Sequence, residues 1–222
     1  MQDLTPISRA KKIIPILRKA HPDARCALHH RSPLQLLVAT ILSAQCTDVR
    51  VNKVTPALFK GYPTAAALAK APLPRLERMI RSTGFYRQKA SSIRKTAVEL
   101  MKRFKGQVPR TMEELTTLPG VWRKTANVIL GNCYGVPGIV VDTHVKRLTY
   151  RMGLTSNADP DKIEQDLMKL LPKKGWIFFS HAMIFHGRRI CGALRPVCPA
   201  CPVLPHCPRR GVKEKLPLSG RA

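Results

Sequence analysis

Apolar residues recur at intervals of three and four along most of the chain, the spacing that lines one face of a helix. The pattern predicts helices over residues 7–20, 33–44, 49–59, 73–80, 88–104 and 162–171. Alternating runs of Val, Ile and Thr, which would mark half-buried strands, are scarce, so the expected fold class is all-α. The connections are rich in Gly and Pro, as in Gly61-Tyr62-Pro63, Gly106-Gln107-Val108-Pro109 and Gly135-Val136-Pro137-Gly138. They are as short as packed neighbouring helices need. Neither a solenoid repeat nor a low-complexity tract is visible. Beyond Cys191 the helical pattern stops, because six of the nineteen prolines lie between residues 196 and 217, where a helix cannot persist. That stretch needs another source of order.

The polar positions are mostly basic. Among 222 residues, 39 are Lys or Arg and 13 are Asp or Glu, a formal charge of +26. Such an imbalance is rarely a matter of solubility alone and points to a polyanionic partner. Nucleic acid is favoured over membrane because the basic residues spread along the whole chain rather than gathering beside an apolar anchor. No apolar run is long enough to span a bilayer. The opening MQDLTPISRAKK has an acid at its third residue and no apolar core, so no secretory signal is expected. A cytoplasmic, nucleoid-associated location follows if the source is prokaryotic. The length suits one large domain or two small ones that share a cleft.

Residues 111–133 hold the sharpest local signal. Thr111 with Glu114 reads as a capping box that starts a short helix, Pro119-Gly120 ends it in a tight turn, and helical periodicity resumes from Arg123 to Cys133. This is a helix–hairpin–helix pattern. Such a turn exposes backbone N–H groups that can donate to a phosphate without reading sequence, although an ordinary helical corner has the same spacing. Lys124 lies in the first turn of the second helix, where the positive end of the macrodipole favours a neutral, nucleophilic amine. In so basic a chain, a solvated phosphate contact is the competing reading. Asp142 lies eighteen residues on, after the apolar approach Ile139-Val140-Val141, and reads as a helix N-cap. A carboxylate there is also placed for proton transfer or for stabilising positive charge on a sugar, and the two roles can coexist.

Of seven cysteines, Cys26, Cys46 and Cys133 are isolated, whereas Cys191, Cys198, Cys201 and Cys207 form C-x6-C-x2-C-x5-C. Three are followed by Pro199, Pro202 and Pro208, which keep the loop extended and remove backbone donors. A Cys-Pro step also occurs in bacterial iron–sulfur runs. Without an export signal a metal site is expected over disulfides. A tetrathiolate zinc site is the rival, and His206 could replace one thiolate.

These residues converge on a known family. LPGVWRKTANVIL resembles the helix–hairpin–helix of endonuclease III, VDTH resembles its aspartate motif, and the cysteine spacing resembles its cluster loop. LLVATILSAQCTD and STGFYRQKA also resemble family segments, so the likeness runs over about residues 31–207. It implies a six-helix barrel domain over residues 26–136 and an iron–sulfur cluster domain built from residues 1–25 and 137–222, with DNA across the cleft between them. It implies a bifunctional DNA glycosylase and abasic-site lyase of base-excision repair that acts, as a monomer, on oxidised pyrimidines and abasic sites in double-stranded DNA.

By the same resemblance, Lys124 matches the lysine that attacks C1′, expels the base and forms a Schiff base before β-elimination, and Asp142 matches the aspartate that assists it. Gln45 matches the glutamine that fills the gap left by a flipped nucleotide, and Phe85 occupies the loop that wedges the opposite strand. Gly120, Trp122 and Arg123 of the hairpin and His144 of VDTH are implied DNA contacts. Cys191, Cys198, Cys201 and Cys207 are the implied ligands of a structural [4Fe-4S] cluster that shapes a basic loop, where Arg188, Arg189 and Arg195 would meet phosphate. One position departs from the family. Where the hairpin usually reads LPGVG, Trp122 replaces the second glycine, which is expected to narrow the lesion pocket or weaken the backbone's approach to DNA. Two other functions fit parts of the pattern: an adenine-mismatch glycosylase, which lacks a lysine at the position of Lys124, and a non-catalytic DNA-binding protein that uses the hairpin as a phosphate clamp.

Overall fold

Hydroxyl and carboxylate side chains mark where most of the helices begin. In the computed structural model, which describes residues 4–212, eleven α-helices follow in order among the described residues: α1 Pro6–Ala20, α2 Pro33–Ser43, α3 Asp48–Gly61, α4 Ala65–Ala69, α5 Leu73–Ile80, α6 Tyr86–Phe104, α7 Met112–Thr116, α8 Arg123–Tyr134, α9 Thr143–Arg151, α10 Pro160–Leu170 and α11 Trp176–Arg189. Thr5, Ser32, Thr47, Thr64, Thr111, Asp142 and Asp159 each accept a hydrogen bond from a first-turn amide of the helix they precede. Each such cap contributes roughly 1 kcal/mol. The Asp159 cap, with Pro160 at the first helical position, explains why α10 begins before the expected residue 162. No side chain caps α8, where Trp122 precedes Arg123.

The chain divides into two compact units, one over Cys26–Gly138 and one built from Met1–Arg25 with Ile139–Ala222. In the first, α6 lies against α4 and α5, and α2 against α3 and α8. The stripes of these helices meet in a core that includes Leu36, Leu37, Val51, Leu58, Leu76, Ile93, Leu100 and Ile129. In the second unit α11 packs on α9 and α1, around Ile13, Leu17, Val145, Leu148, Ile163, Leu167, Phe179 and Met183. Burying each Leu or Ile contributes on the order of 2 kcal/mol, so these cores outweigh the caps in holding the helices.

After α11 the proline-rich stretch forms short 3-10 turns at Cys198–Ala200 and Leu204–His206, and an isolated antiparallel bridge joins Cys191 to Pro196. The last proline of that stretch, Pro217, lies outside the described residues. Among the described residues there is no named strand, and no helix is long and apolar enough to cross a membrane.

Candidate active site and cysteine loop

The hairpin is built on α6. Thr111 accepts from the Glu114 amide, and its hydroxyl donates to the Glu114 carboxylate at 2.9 Å, so the acid closes on the capping hydroxyl. The Thr96 hydroxyl donates to the Pro119 carbonyl at 2.6 Å, which pins the turn to α6. Gly120 takes φ 76, a left-handed angle that favours glycine, whereas a Cβ there would meet Ser92 at an ordinary contact distance of 3.4 Å. Val121 is buried next to it, and Trp122 then extends at φ −99 and ψ 169.

Position 122 does not require glycine. Its backbone angles are ordinary for an L-residue, so replacing the family glycine strains nothing. The indole is 78% exposed. Because Trp122 offers no capping oxygen, no side chain closes the start of α8. Arg123 and Lys124 are both exposed in that first turn. A twelve-residue helix that starts with uncapped amides and two basic side chains is suited to a phosphate.

Asp142 is half-buried and caps α9, with Oδ1 accepting from the Val145 amide at 2.8 Å. The preceding strand-like approach is held by the Val140 amide, which donates to Ser180 Oγ on α11 at 2.9 Å. His144 follows on α9, half-buried. Its Nδ1 lies 3.2 Å from Arg147 Nη2, and a Cβ on Gly187 would stand 2.6 Å from the same nitrogen. The close approach of α11 at Gly187 therefore encloses the His144 ring.

The cysteine loop is organised by two arginines on one face of α9. Arg151 donates to Cys191 Sγ at 3.3 Å and to the carbonyls of Gly192 and Ala193 at 2.7 Å each, and Arg147 donates to the carbonyl of Cys191 at 3.0 Å. The Arg151 carbonyl accepts from Cys207 Sγ at 3.4 Å. Behind Cys201, His186 places Nε2 3.4 Å from the sulfur and Nδ1 3.0 Å from His21 Nε2. Burial, then the charge of His21, pushes His186 down to about 4, so it is neutral at physiological pH.

All seven cysteines are free thiols. Among the described residues, no group of three or more His, Cys, Asp or Glu side chains is placed to hold a single metal ion. The four loop thiols nevertheless act on one another. Burial pushes Cys201 up to about 11, a backbone hydrogen bond from Val203 opposes this, and the charges of Cys207, Cys191 and Cys198 add to the rise. Cys207 is raised by burial too, with contributions from Cys191 and Cys198. Four soft sulfur donors gathered in one half-buried loop fit a cationic iron centre, which would offset the cost of deprotonating them on binding.

Of the expected phosphate contacts beside the loop, Arg188 and Arg195 are exposed. Arg189 is engaged elsewhere: it forks onto Asp23 at 3.0 and 2.7 Å and stacks over Phe185, 4.6 Å from the ring centre. That hydrogen-bonded pair holds the Asp23 carboxyl below its usual range.

Gln45 and Phe85 share an unusual feature. Both are exposed and both adopt left-handed backbone angles, φ 51 and φ 46. Each costs an L-residue about 1–2 kcal/mol, so their surroundings must hold them there. Beneath them Lys89 is 5% exposed, and burial pushes its ammonium below the ordinary lysine value, countered by Cys46. Lys89, Arg147, Arg151 and the His21–His186 pair are absent from the sequence-based site. Only the four-residue spacing of Arg147 and Arg151, on one helix face, hints at a joint role.

Residues 38–173 match the HhH-GPD superfamily of base excision DNA repair proteins. An endonuclease III of Synechocystis sp. is 54% identical over 201 residues, spanning 90% of this chain and 92% of its own length. The chain belongs to the endonuclease III family. Two solved endonuclease III structures share its fold at 46% identity. One is a non-covalent complex with DNA, with a TM-score of 0.89 over 93% of this chain and 96% of that one. The other is a trapped covalent intermediate with DNA, an estranged-adenine complex, with a TM-score of 0.86 over 90% and 96%. The all-helical architecture is thus that of endonuclease III, a family that carries a four-iron, four-sulfur cluster.

Proposed function

We propose that this enzyme, a DNA glycosylase and abasic-site lyase of base-excision repair, uses Lys124 as its nucleophile and Asp142 as its proton-transfer group. The uncapped start of α8 behind the Gly120 turn carries the reading: it offers amides to a backbone phosphate and sets the Lys124 amine on the same helical turn. In the first step the Nζ lone pair bonds to C1′ while the bond from C1′ to the damaged base breaks. The base leaves with the electron pair and takes up a proton. Loss of amine protons and opening of the C1′–O4′ bond, whose oxygen is protonated, give a Schiff base. Removal of a C2′ proton then expels the 3′ phosphate and cuts the strand. At an abasic site the same amine adds to the C1′ aldehyde and water leaves in place of the base, giving the same Schiff base.

The Asp142 carboxylate serves this sequence by accepting a proton and by stabilising positive charge at C1′. Oxidised pyrimidines are the proposed base substrates, with Gln45 entering the vacated stack and Phe85 wedging the opposite strand. Trp122, Arg123, Arg188 and Arg195 are exposed and are proposed DNA contacts together with Arg189, which also pairs with Asp23. Cys191, Cys198, Cys201 and Cys207 would hold the [4Fe-4S] cluster. When bound, it supplies a rigid, cationic centre that orders the loop and takes no part in the bond changes above.

Asp142→Asn separates capping from chemistry. Asparagine caps a helix as well as aspartate does, so stability should stay within about 0.5 kcal/mol of the wild type. Single-turnover cleavage of an abasic duplex should fall by roughly 10²- to 10³-fold. A wild-type cleavage rate would leave Asp142 with its capping role alone.

A further inference from the structure

The Gln45 turn and the Phe85 turn are forty residues apart in sequence and meet on one side chain. Lys89 lies in the first turn of α6, and its ammonium donates to the carbonyl of Leu42 at 2.8 Å and to that of Thr83 at 2.7 Å. Its backbone amide donates to the carbonyl of Phe85 at 3.0 Å.

The first of these contacts completes the end of α2, whose last carbonyls have no intrahelical donor. The Thr40 carbonyl accepts from the Ser43 hydroxyl at 2.8 Å and the Ser43 carbonyl from the Cys46 amide at 3.1 Å. Leu42, between them, depends on Lys89. The ammonium also matches the negative end of the α2 dipole.

Three residues past Leu42 stands Gln45, and two past Thr83 stands Phe85, each in the left-handed region. L-residues persist there when the surrounding structure over-determines them. We infer that Lys89 is a positioning residue that locks the Gln45 and Phe85 turns into one rigid element, so that both side chains enter a DNA duplex together. Two independent turns would each have to be ordered at every insertion. Turns tied through a buried ammonium are ordered on folding, before DNA arrives. The inference rests on the reading of Gln45 and Phe85 as the residues that enter the duplex.

The test compares cleavage of an abasic site in a duplex with cleavage of the same site in single-stranded DNA, under single-turnover conditions. A single strand has no opposite strand to wedge and little stack to fill, so the ratio of the two rates reports insertion, whereas poor folding lowers both. Lys89→Met should lower that ratio by about tenfold, with partial recovery in Lys89→Arg, which keeps the charge but not the point geometry. With Lys89 in place, the effects of Gln45→Ala and Phe85→Ala should fall short of multiplying by about fivefold, as expected for coupled residues. In the Lys89→Met background they should multiply.

If neither alanine change moves the ratio, the reading of the two residues fails and the inference falls with it. If each lowers the ratio but their effects multiply with Lys89 present, the inference alone is overturned. Should Lys89→Met not fold, the double substitution in the native background decides by itself.

Discussion

Lys124→Gln is expected to lose strand cleavage at abasic sites by at least about a thousandfold while still binding the same DNA, because the amide nitrogen of glutamine has no basic lone pair to attack C1′. Binding should persist because Lys124 is exposed and its removal leaves Gly120, Val121 and the Thr96–Pro119 hydrogen bond of the hairpin intact. One phosphate contact at most is lost, which lowers affinity severalfold at moderate salt. Single-turnover cleavage together with a gel-shift titration on an abasic duplex measures both effects. Cleavage within tenfold of the wild type would move the nucleophile to another residue. Equal losses in binding and cleavage would reduce Lys124 to a phosphate contact.

The second large effect is expected at the cysteine loop. Cys201→Ser should yield protein without the yellow-brown colour of an iron–sulfur centre and with iron far below the roughly four atoms per chain of the loaded protein, since an alkoxide is a poor substitute for a soft thiolate. Loop order should go with it. Among the described residues after Cys191 there are two single-turn 3-10 segments and one isolated bridge, too little backbone structure to hold the loop by itself. Duplex binding should weaken about tenfold as Arg195 loses its fixed place near the loop. Cys26→Ser serves as the control: Cys26 lies in the other unit, where its thiol donates to the Leu28 carbonyl, and iron content should not change. Full iron in Cys201→Ser, or one zinc in the wild type, would overturn the cluster assignment.

Periodicity located most of the helices because most of them hide one stripe, as the Ala90, Ile93, Ala97 and Leu100 face of α6 does. It gave no such sign for α11, which is apolar nearly all round, with Trp176, Ile177, Phe178 and Phe179 in its first turn, and so has no contrasting polar face. Lys124, Asp142 and the four cysteines stand out in sequence because their chemistry is tied to short local motifs. Lys89 does not, since its importance comes from carbonyls forty-seven and six residues away. Nothing in a basic sequence distinguishes one buried lysine from its solvated neighbours. Arg189 hides its partner for a similar reason. It looks like a free cation beside the cluster loop, and only the fold brings Asp23 from near the N-terminus onto it.

Trp122 stands where the hairpin does not need a glycine. The left-handed angle of the turn falls at Gly120, two residues earlier. Position 122 is extended and tolerates any L-residue.

The central claim is that the Lys124 amine forms a covalent bond with DNA. Reacting wild-type protein with an abasic duplex in the presence of borohydride, digesting the product and mapping the modified peptide by mass spectrometry tests this most directly. The predicted result is a reduced sugar adduct on Lys124, formed in high yield. An adduct on another lysine or on the N-terminal amine, or cleavage of the duplex with no adduct at all, would contradict it.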